Sequence, residues 1–345
     1  MLKKFKQTTL GTLKSSGVFK LVENSRWRQR HLLILAYHGI SLDDEHQWDP
    51  SLYMTADCFR QRMQLLKDSN CTVLPLAEAI RRLYSQDLPE RCVALTFDDG
   101  NHDFYSRAWP ILREFDFPVT VYLSTYYSLY PKPVFDVICS YLLWKGRKGQ
   151  LDFRPITGQE MVVDLSANGS VAHTVAAILK FAHDHNLSAK DKDELAAKVA
   201  AQLNIDYEAL IEKRLLHLMS PEEVKTLASE GVDIQLHTHR HRVPSERSLF
   251  MREIDDNKQS IQEITGGVAS HFCYPSGVYS QSFLPWLEEA GVVSATTCDV
   301  GFASRQSHPL LLPRLLDGSG LSEIEFEGWL TGVSAALPRR REARQ

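Results

Sequence analysis

The sequence has no long apolar run. The longest early one, Leu32 to Ala36, falls far short of the about 20 residues of a membrane span and lies too deep for a secretory signal. A cytoplasmic protein without a transmembrane helix is therefore expected. Cysteine is sparse, at 6 scattered positions with no C-x-x-C pair. This excludes a disulfide framework, and cysteines inside apolar runs pack as small hydrophobes in a reducing compartment. Charge of one sign is also missing: 39 basic against 43 acidic residues leave a net −4. No electrostatic footprint for nucleic acid exists, so no nucleic-acid partner is expected. Neither an internal repeat nor a low-complexity segment is present. The 345 residues, 43% apolar and 24% charged, have the composition of a globular enzyme with a large core.

Charge is uneven locally. Residues 1–30 hold Lys3, Lys4, Lys6, Lys14, Lys20, Arg26, Arg28 and Arg30 against Glu23 alone, with Leu2, Phe5, Leu10 and Leu13 between them. They read as a basic, partly helical arm, and such an arm could rest peripherally on an anionic membrane surface. Residues 331–345 read as a basic tail carrying Arg339, Arg340, Arg341 and Arg344.

Short apolar runs alternate with helical patterns. Strands are expected at 32–37, 72–74, 93–97, 119–123, 232–236, 269–274, 292–296 and 310–316. Helices are expected at 57–67, 76–84, 252–264 and 283–290, from apolar residues at i, i+3, i+4 and i+7. Ser220-Pro221-Glu222-Glu223 combines an N-cap, a first-turn proline and a capping box. Repeated βα units imply a parallel sheet, and seven or eight strands suit a TIM-like (β/α) barrel. Helical patterns at 171–183 and 194–203 interrupt this rhythm. The expected organisation is thus an α/β, distorted parallel (β/α)7-8 barrel split into 31–129 and 220–330, with a mostly helical insertion at 130–219.

Two places carry chemistry. Thr96-Phe97-Asp98-Asp99-Gly100 ends a buried strand with adjacent carboxylates and a glycine turn. Carboxyl ends of parallel strands are where such folds build active sites. Adjacent acids point different ways, so one can bind a metal while the other serves as a base. His237-Thr238-His239-Arg240-His241 follows another strand and places three of the 13 histidines in five residues. Imidazole suits borderline divalent metals, and two His with one carboxylate leave positions open for water. His237 and His241, four apart, share a face if the segment turns helically.

On these residues the chain resembles the polysaccharide deacetylase family, the NodB-homology carbohydrate esterases. Its T-F-D-D-G motif stands at Thr96–Gly100 and its H-[ST]-x-x-H motif at His237–His241. Ala36-Tyr37-His38-Gly39 and the insertion are similar to a subgroup linked to exopolysaccharide or surface-glycan synthesis. The resemblance implies metal-dependent removal of acetyl groups, on nitrogen or oxygen, from a polysaccharide or glycan precursor. It implies Asp98 as general base, Asp99, His237 and His241 as ligands of one divalent ion (Zn²⁺, or alternatively Co²⁺, Ni²⁺ or Mn²⁺), and Thr238 as support for the loop. The family's R-x-P-Y-G motif aligns with Cys273-Tyr274-Pro275-Ser276-Gly277, which assigns Tyr274, Pro275 and Ser276 to substrate and oxyanion binding, with the Ser276 N–H as donor.

Two departures from the family follow. The motif's arginine is Cys273 here, and Arg314 is the candidate to orient the base in its place. The family's acid histidine is not recognisable. His38 is the first candidate for that role, ahead of His308 and His239. The departures leave as alternatives a glycan-binding member with weak or no turnover, or a hydrolase of a non-sugar amide.

Overall fold

The computed structural model describes residues 2–337, so the arginines at 339–341 and 344 lie outside the described residues. Seven parallel strands close into a barrel: β1 (Leu33–Tyr37), β2 (Cys92–Phe97), β3 (Thr120–Leu123), β4 (Asp233–Leu236), β5 (His271–Cys273), β6 (Ser294–Val300) and β7 (Leu312–Leu316). Each strand pairs with its neighbours in chain order, and β1 closes the ring against both β7 and β2. The β1–β2 register runs without a break from Leu33↔Val93 to Tyr37↔Phe97. The expected strand at 72–74 is present as Thr72–Val73 but pairs only with the first residues of β2 and with no second strand, so it is no part of the ring. This settles the strand number at seven.

Alternation along the strands sorts the residues. Leu33, Leu35, Val93, Leu95 and Val121 point outward and join the main core beneath the surrounding helices. Ile34, Ala94, Tyr122, Cys273 and Leu312 gather in a separate cluster. Small and polar residues such as Ala36, Thr96, Thr296 and Arg314 are also fully buried on the strands. The continuous apolar character of β1 follows from being covered on both faces.

Between β3 and the helix Pro221–Ser229 the chain builds a second core. The helices Phe135–Lys145, Ser170–Asp184 and Ala189–Gln202 bury Ile138, Leu142, Ile178, Leu195 and Val199 together. The hairpin Gln150–Asp152/Val162–Asp164 packs Leu151 into the same cluster. Near the amino end, the helices Leu2–Ser15 and Val18–Glu23 lie against Glu323–Thr331. Leu10, Phe19 and Val333 are buried there, and Lys14 pairs with Glu327 at 2.6 Å. Phe5 and Leu21 remain exposed on these helices. No helix among the described residues is long and apolar enough to cross a membrane.

The capping box at Ser220 positions the return to the barrel. The Ser220 N–H donates to Glu223 Oε2 at 2.8 Å and the Glu223 N–H to Ser220 Oγ at 3.3 Å. Glu223 also accepts from Arg214 and faces His102 Nδ1 at 3.0 Å. Just before the cap, the Met219 N–H donates to Gly100 O at 2.9 Å, tying this helix start to the aspartate turn. Burial works to raise the Glu223 pKa, but His102, Arg214 and the Ser220 amide outweigh it and bring the carboxyl from 4.5 to about 2. A depressed folded-state pKa contributes stability that is present above 4.5 and lost as pH falls toward 2. We therefore expect Glu223→Gln to cost about 1 kcal/mol of stability at pH 7, the scale of a lost cap. Thermal melts across pH should show the gap from wild type closing in acid; a gap independent of pH would contradict this account.

Candidate active site

Strand β2 delivers Asp98 to the barrel mouth, where its N–H donates to Tyr37 O at 2.9 Å. The chain then turns sharply: Asp99 has φ 69° and Gly100 φ 85°. A Cβ at Gly100 would sit 2.3 Å from Leu123 Cδ1, so both the conformation and the close approach call for glycine. The turn sends the two carboxylates apart. Asp98 faces into the barrel and Asp99 faces the histidine loop.

Asp98 is 2% exposed and Arg314 0%, and they form a two-point pair: Nη1 to Oδ1 and Nη2 to Oδ2, both 2.7 Å. Arg314 Nε donates to Thr297 O at 3.0 Å, and Nη2 also lies 3.0 Å from Cys273 Sγ. Burial alone would raise the Asp98 pKa; the guanidinium overrides it and holds the carboxyl at about 2. Burial pushes the Cys273 thiol well above its usual value. His38, at the end of β1, brings Nε2 to 3.6 Å from Asp98 Oδ2.

The histidine loop does not turn helically, so spacing of four is not what brings its two outer imidazoles together. Thr238 and His241 both adopt left-handed backbone, with φ 61° and 53°. The irregular path still brings His237 Nε2 and His241 Nε2 to 3.2 Å and 3.1 Å from the same atom, Asp99 Oδ1. Its supports are polar and buried. Asn257 accepts the His237 N–H through Oδ1 and donates to Leu123 O and Thr125 Oγ1, each at 3.0 Å. Thr238 Oγ1 accepts the Arg242 N–H at 3.1 Å. Glu253 accepts from the Arg240 backbone and from the side chains of Arg240 and Arg242. The middle histidine, His239, turns away: its Nδ1 bonds Thr125 Oγ1 at 2.8 Å.

The donors fit a divalent cation. His237 Nδ1 lies 2.9 Å from Cys273 O, and a carbonyl only accepts, so Nδ1 carries the hydrogen and Nε2 presents a lone pair. Opposite it stands Asp99 Oδ1, a buried oxygen that accepts no hydrogen bond from any described residue. Two acceptors facing each other repel unless a positive charge lies between them. Asp99, His237 and His241 form one group with mutually close ligand atoms; Asp98, His237 and Cys273 form another. The second group faces the buried Arg314 guanidinium, which takes both oxygens of Asp98. The first therefore suits a cation better, and its one carboxylate and two imidazoles match catalytic zinc sites.

Other expected residues fall elsewhere. Tyr274 is buried, with its hydroxyl on Leu310 O at 3.1 Å and its amide on Thr296 O, so its ring is core and not a surface for substrate. Pro275 and Ser276 form the tight turn after β5, with Ser276 at φ 53°. His308 is exposed, and its Nδ1 accepts the Leu310 N–H at 3.2 Å. Sequence reasoning missed Asn257. The signal was a polar residue in phase with Phe250, Ile254 and Ile261 on the buried face of the helix Arg247–Thr265. Glu253, buried beside that stripe, was likewise not singled out.

Known proteins with a similar sequence or fold place the chain in a family. The family model for polysaccharide deacetylases matches residues 85–135 and 155–295. YxkH of Bacillus subtilis (strain 168) is 21% identical over 308 residues, covering 88% of this chain and 77% of that protein. A poly-β-1,6-N-acetyl-D-glucosamine N-deacetylase of Escherichia coli (strain K12) is 28% identical over 100 residues, 28% of this chain and 14% of the relative. Among solved structures, the Streptococcus pyogenes deacetylase PplD in complex with acetate superposes with TM-score 0.55 at 21% identity, covering 86% of this chain and 96% of that one. IcaB from Ammonifex degensii gives 0.53 at 17% identity, with coverage of 87% and 97%. The barrel, its two motifs and the match over more than half of the sequence lead to one assignment: the chain belongs to the polysaccharide deacetylase family of hydrolases.

Proposed function

We propose that the protein is a metal-dependent deacetylase that hydrolyses acetyl groups on sugars of a glycan or glycan precursor. The observation that carries this reading is the convergence of Asp99 Oδ1, His237 Nε2 and His241 Nε2 on one point, with the ionised Asp98 beside it. Asp99, His237 and His241 would hold one divalent cation, Zn²⁺ first among the candidates. The cation would supply Lewis-acid activation of water and of the acetyl carbonyl. The name of the Escherichia coli relative makes N-acetylglucosamine polymers the first substrate class to test. Six unpaired cysteines suit a reducing, cytoplasmic setting.

The chain's own groups have separable tasks. Asp98 is the general base: a free lone pair on its carboxylate takes the proton of the attacking water. Arg314 keeps Asp98 ionised and fixes its plane, the task of the arginine that Cys273 replaces. The Ser276 N–H is the donor left over in its turn, because Gly277 and Val278 donate to Tyr274 O and Pro275 O and proline has no N–H. It would stabilise the oxyanion. His38, close to Asp98, would protonate the departing nitrogen or oxygen, so that water and the acetylated sugar give acetate and the free amine or alcohol. Thr238 holds the loop that carries both imidazoles.

Acetate release from β-1,6-linked N-acetylglucosamine oligomers, with metal analysis of the same preparation, tests the reading directly. We expect Asp98→Asn to lower kcat by at least about 100-fold, the scale of a lost general base, with bound metal retained. Normal turnover in that variant would refute the assignment. His237→Ala and His241→Ala should each leave the purified chain with well under one equivalent of zinc, read by atomic emission. A full equivalent in both variants would rule out the proposed ligand set.

Arg314→Met should destabilise the fold by about 3–5 kcal/mol, because it strands a buried carboxylate. Arg314→Lys should recover part of that loss in a chemical denaturation series. Equal stability of Arg314→Met and wild type would show that Asp98 does not need the guanidinium.

A further inference from the structure

Beside the histidine loop lies a second concave feature that the chemistry above does not use. A cavity of about 300 Å³ separates the short helix Thr125–Leu129 and the segment after it from the inserted helices. Its walls carry Tyr126, Tyr127, Tyr130, Phe135, Lys192 and Tyr207. The first four rings are only partly buried. The hydroxyls of Tyr126, Tyr127 and Tyr130 make no hydrogen bond to any described residue, whereas Tyr207 donates to Asp193 at 2.8 Å. Lys132 and Asp193 pair at 2.7 Å on the wall, and Lys192 stands 5.9 Å from the centre of the Phe135 ring.

One wall of the cavity borders the loop that carries His237 and His241. The Tyr126 N–H donates to His239 O at 2.8 Å, and the Tyr126 ring meets the His239 ring edge-on at 5.7 Å. Asp136, exposed at the start of the helix Phe135–Lys145, is close enough to act electrostatically on both His241 and Tyr127.

These features describe a ligand with flat apolar faces and a polar edge. A pyranose has that form: its C–H faces lie on aromatic rings while its hydroxyls reach phenols, ammonium groups and carboxylates. An alkyl chain would leave the free phenols and the Lys132–Asp193 pair without partners. We propose that this cleft is a glycan subsite, holding a sugar unit that flanks the one whose acetyl group reaches Asp99, His237 and His241. The inference rests on the acetylated-glycan reading above and extends it: the substrate is an oligomer long enough to span both places, and the insertion selects it.

Calorimetric titration tests this independently of turnover. The full-length, zinc-loaded chain carrying Asp98→Asn keeps the ligand intact, and β-1,6-linked N-acetylglucosamine dimers and pentamers are the probes. The pentamer should bind more tightly than the dimer. Adding Tyr130→Ala or Lys192→Ala should remove that gain, weakening pentamer binding about tenfold, or about 1.4 kcal/mol. Adding Tyr130→Phe, which keeps the ring, should leave binding within about twofold of the parent, a difference small beside that tenfold loss. Unchanged thermal melts would exclude misfolding. Equal pentamer affinity in the parent and the Tyr130→Ala chain, or no oligomer binding to the parent, overturns the subsite. A pentamer that binds as described but yields no acetate with the wild-type enzyme refutes the proposed function and leaves the subsite standing.

Discussion

The site depends on a buried ion pair inside a closed barrel. Arg314 comes from β7 and Asp98 from the end of β2, two strands that flank β1 without touching each other. A guanidinium and a carboxylate with almost no solvent contact hold only if both are fully engaged. Arg314 achieves this with two bonds to Asp98, one to Thr297 O and further contacts to Thr96 Oγ1 and Cys273 Sγ. Cys273 supplies a small, weakly polar neighbour at 3.0 Å, leaving room for the guanidinium where a second arginine would bring like charge. The small thiol at 273 and the guanidinium of Arg314 are therefore packed as one unit around Asp98. Closure of β1 against both β2 and β7 sets the span that Arg314 has to cross.

Fixing Asp98 in this way frees Asp99. The turn through Asp99 and Gly100 is strained for any residue but glycine at the second position, and it is tied down at three points: Gly100 N–H to Asp98 O, Ser124 N–H to Asp99 O, and Met219 N–H to Gly100 O. The histidine loop is held as firmly. It has two left-handed residues with side chains, and its polar supports come from another helix, through Asn257 and Glu253. Such conformations persist where neighbours over-determine them, as at a site whose donors must stand ready before a ligand arrives. A cation between Asp99 Oδ1 and the two Nε2 atoms would relieve the one repulsion this scaffold leaves in place.

Much of this was legible in the sequence because parallel strands covered on both faces have continuous apolar signatures. Leu33–Tyr37 and Cys92–Phe97 could hardly be anything else, and the acids after the second of them marked the barrel mouth. Arg314 was found by its place on the last strand. The path of the histidine loop was not legible, since spacing of four suggests a helical turn and nothing in Thr238 or His241 announces positive φ. Tyr274 was misread for a simpler reason. Side chains alternate along a strand, so Cys273 facing Asp98 inside the barrel requires its neighbour to point out into the core. Asn257 needed only the observation that a helix does not spend a buried position on an amide without a bonding role.

The insertion raises a different question, because Asp98, Asp99, His237 and His241 all come from the chain on either side of it. The inserted helices share their core with Trp48, Leu52 and Tyr53 from the first barrel segment, so they bury their apolar faces partly among themselves and partly against that segment. Opposite the helix Thr125–Leu129 they leave a gap, and partly exposed rings line it together with charged groups. Aromatic surface left open beside buried cores carries a hydration cost that tighter packing would remove. Tyr126, on the barrel side of the gap, bonds the histidine loop at His239, and Asp136, on the insertion side, lies close enough to His241 to act on it electrostatically. On the proposed reading, the barrel would supply the reacting groups, and the insertion would set how much of a long ligand is held before they act.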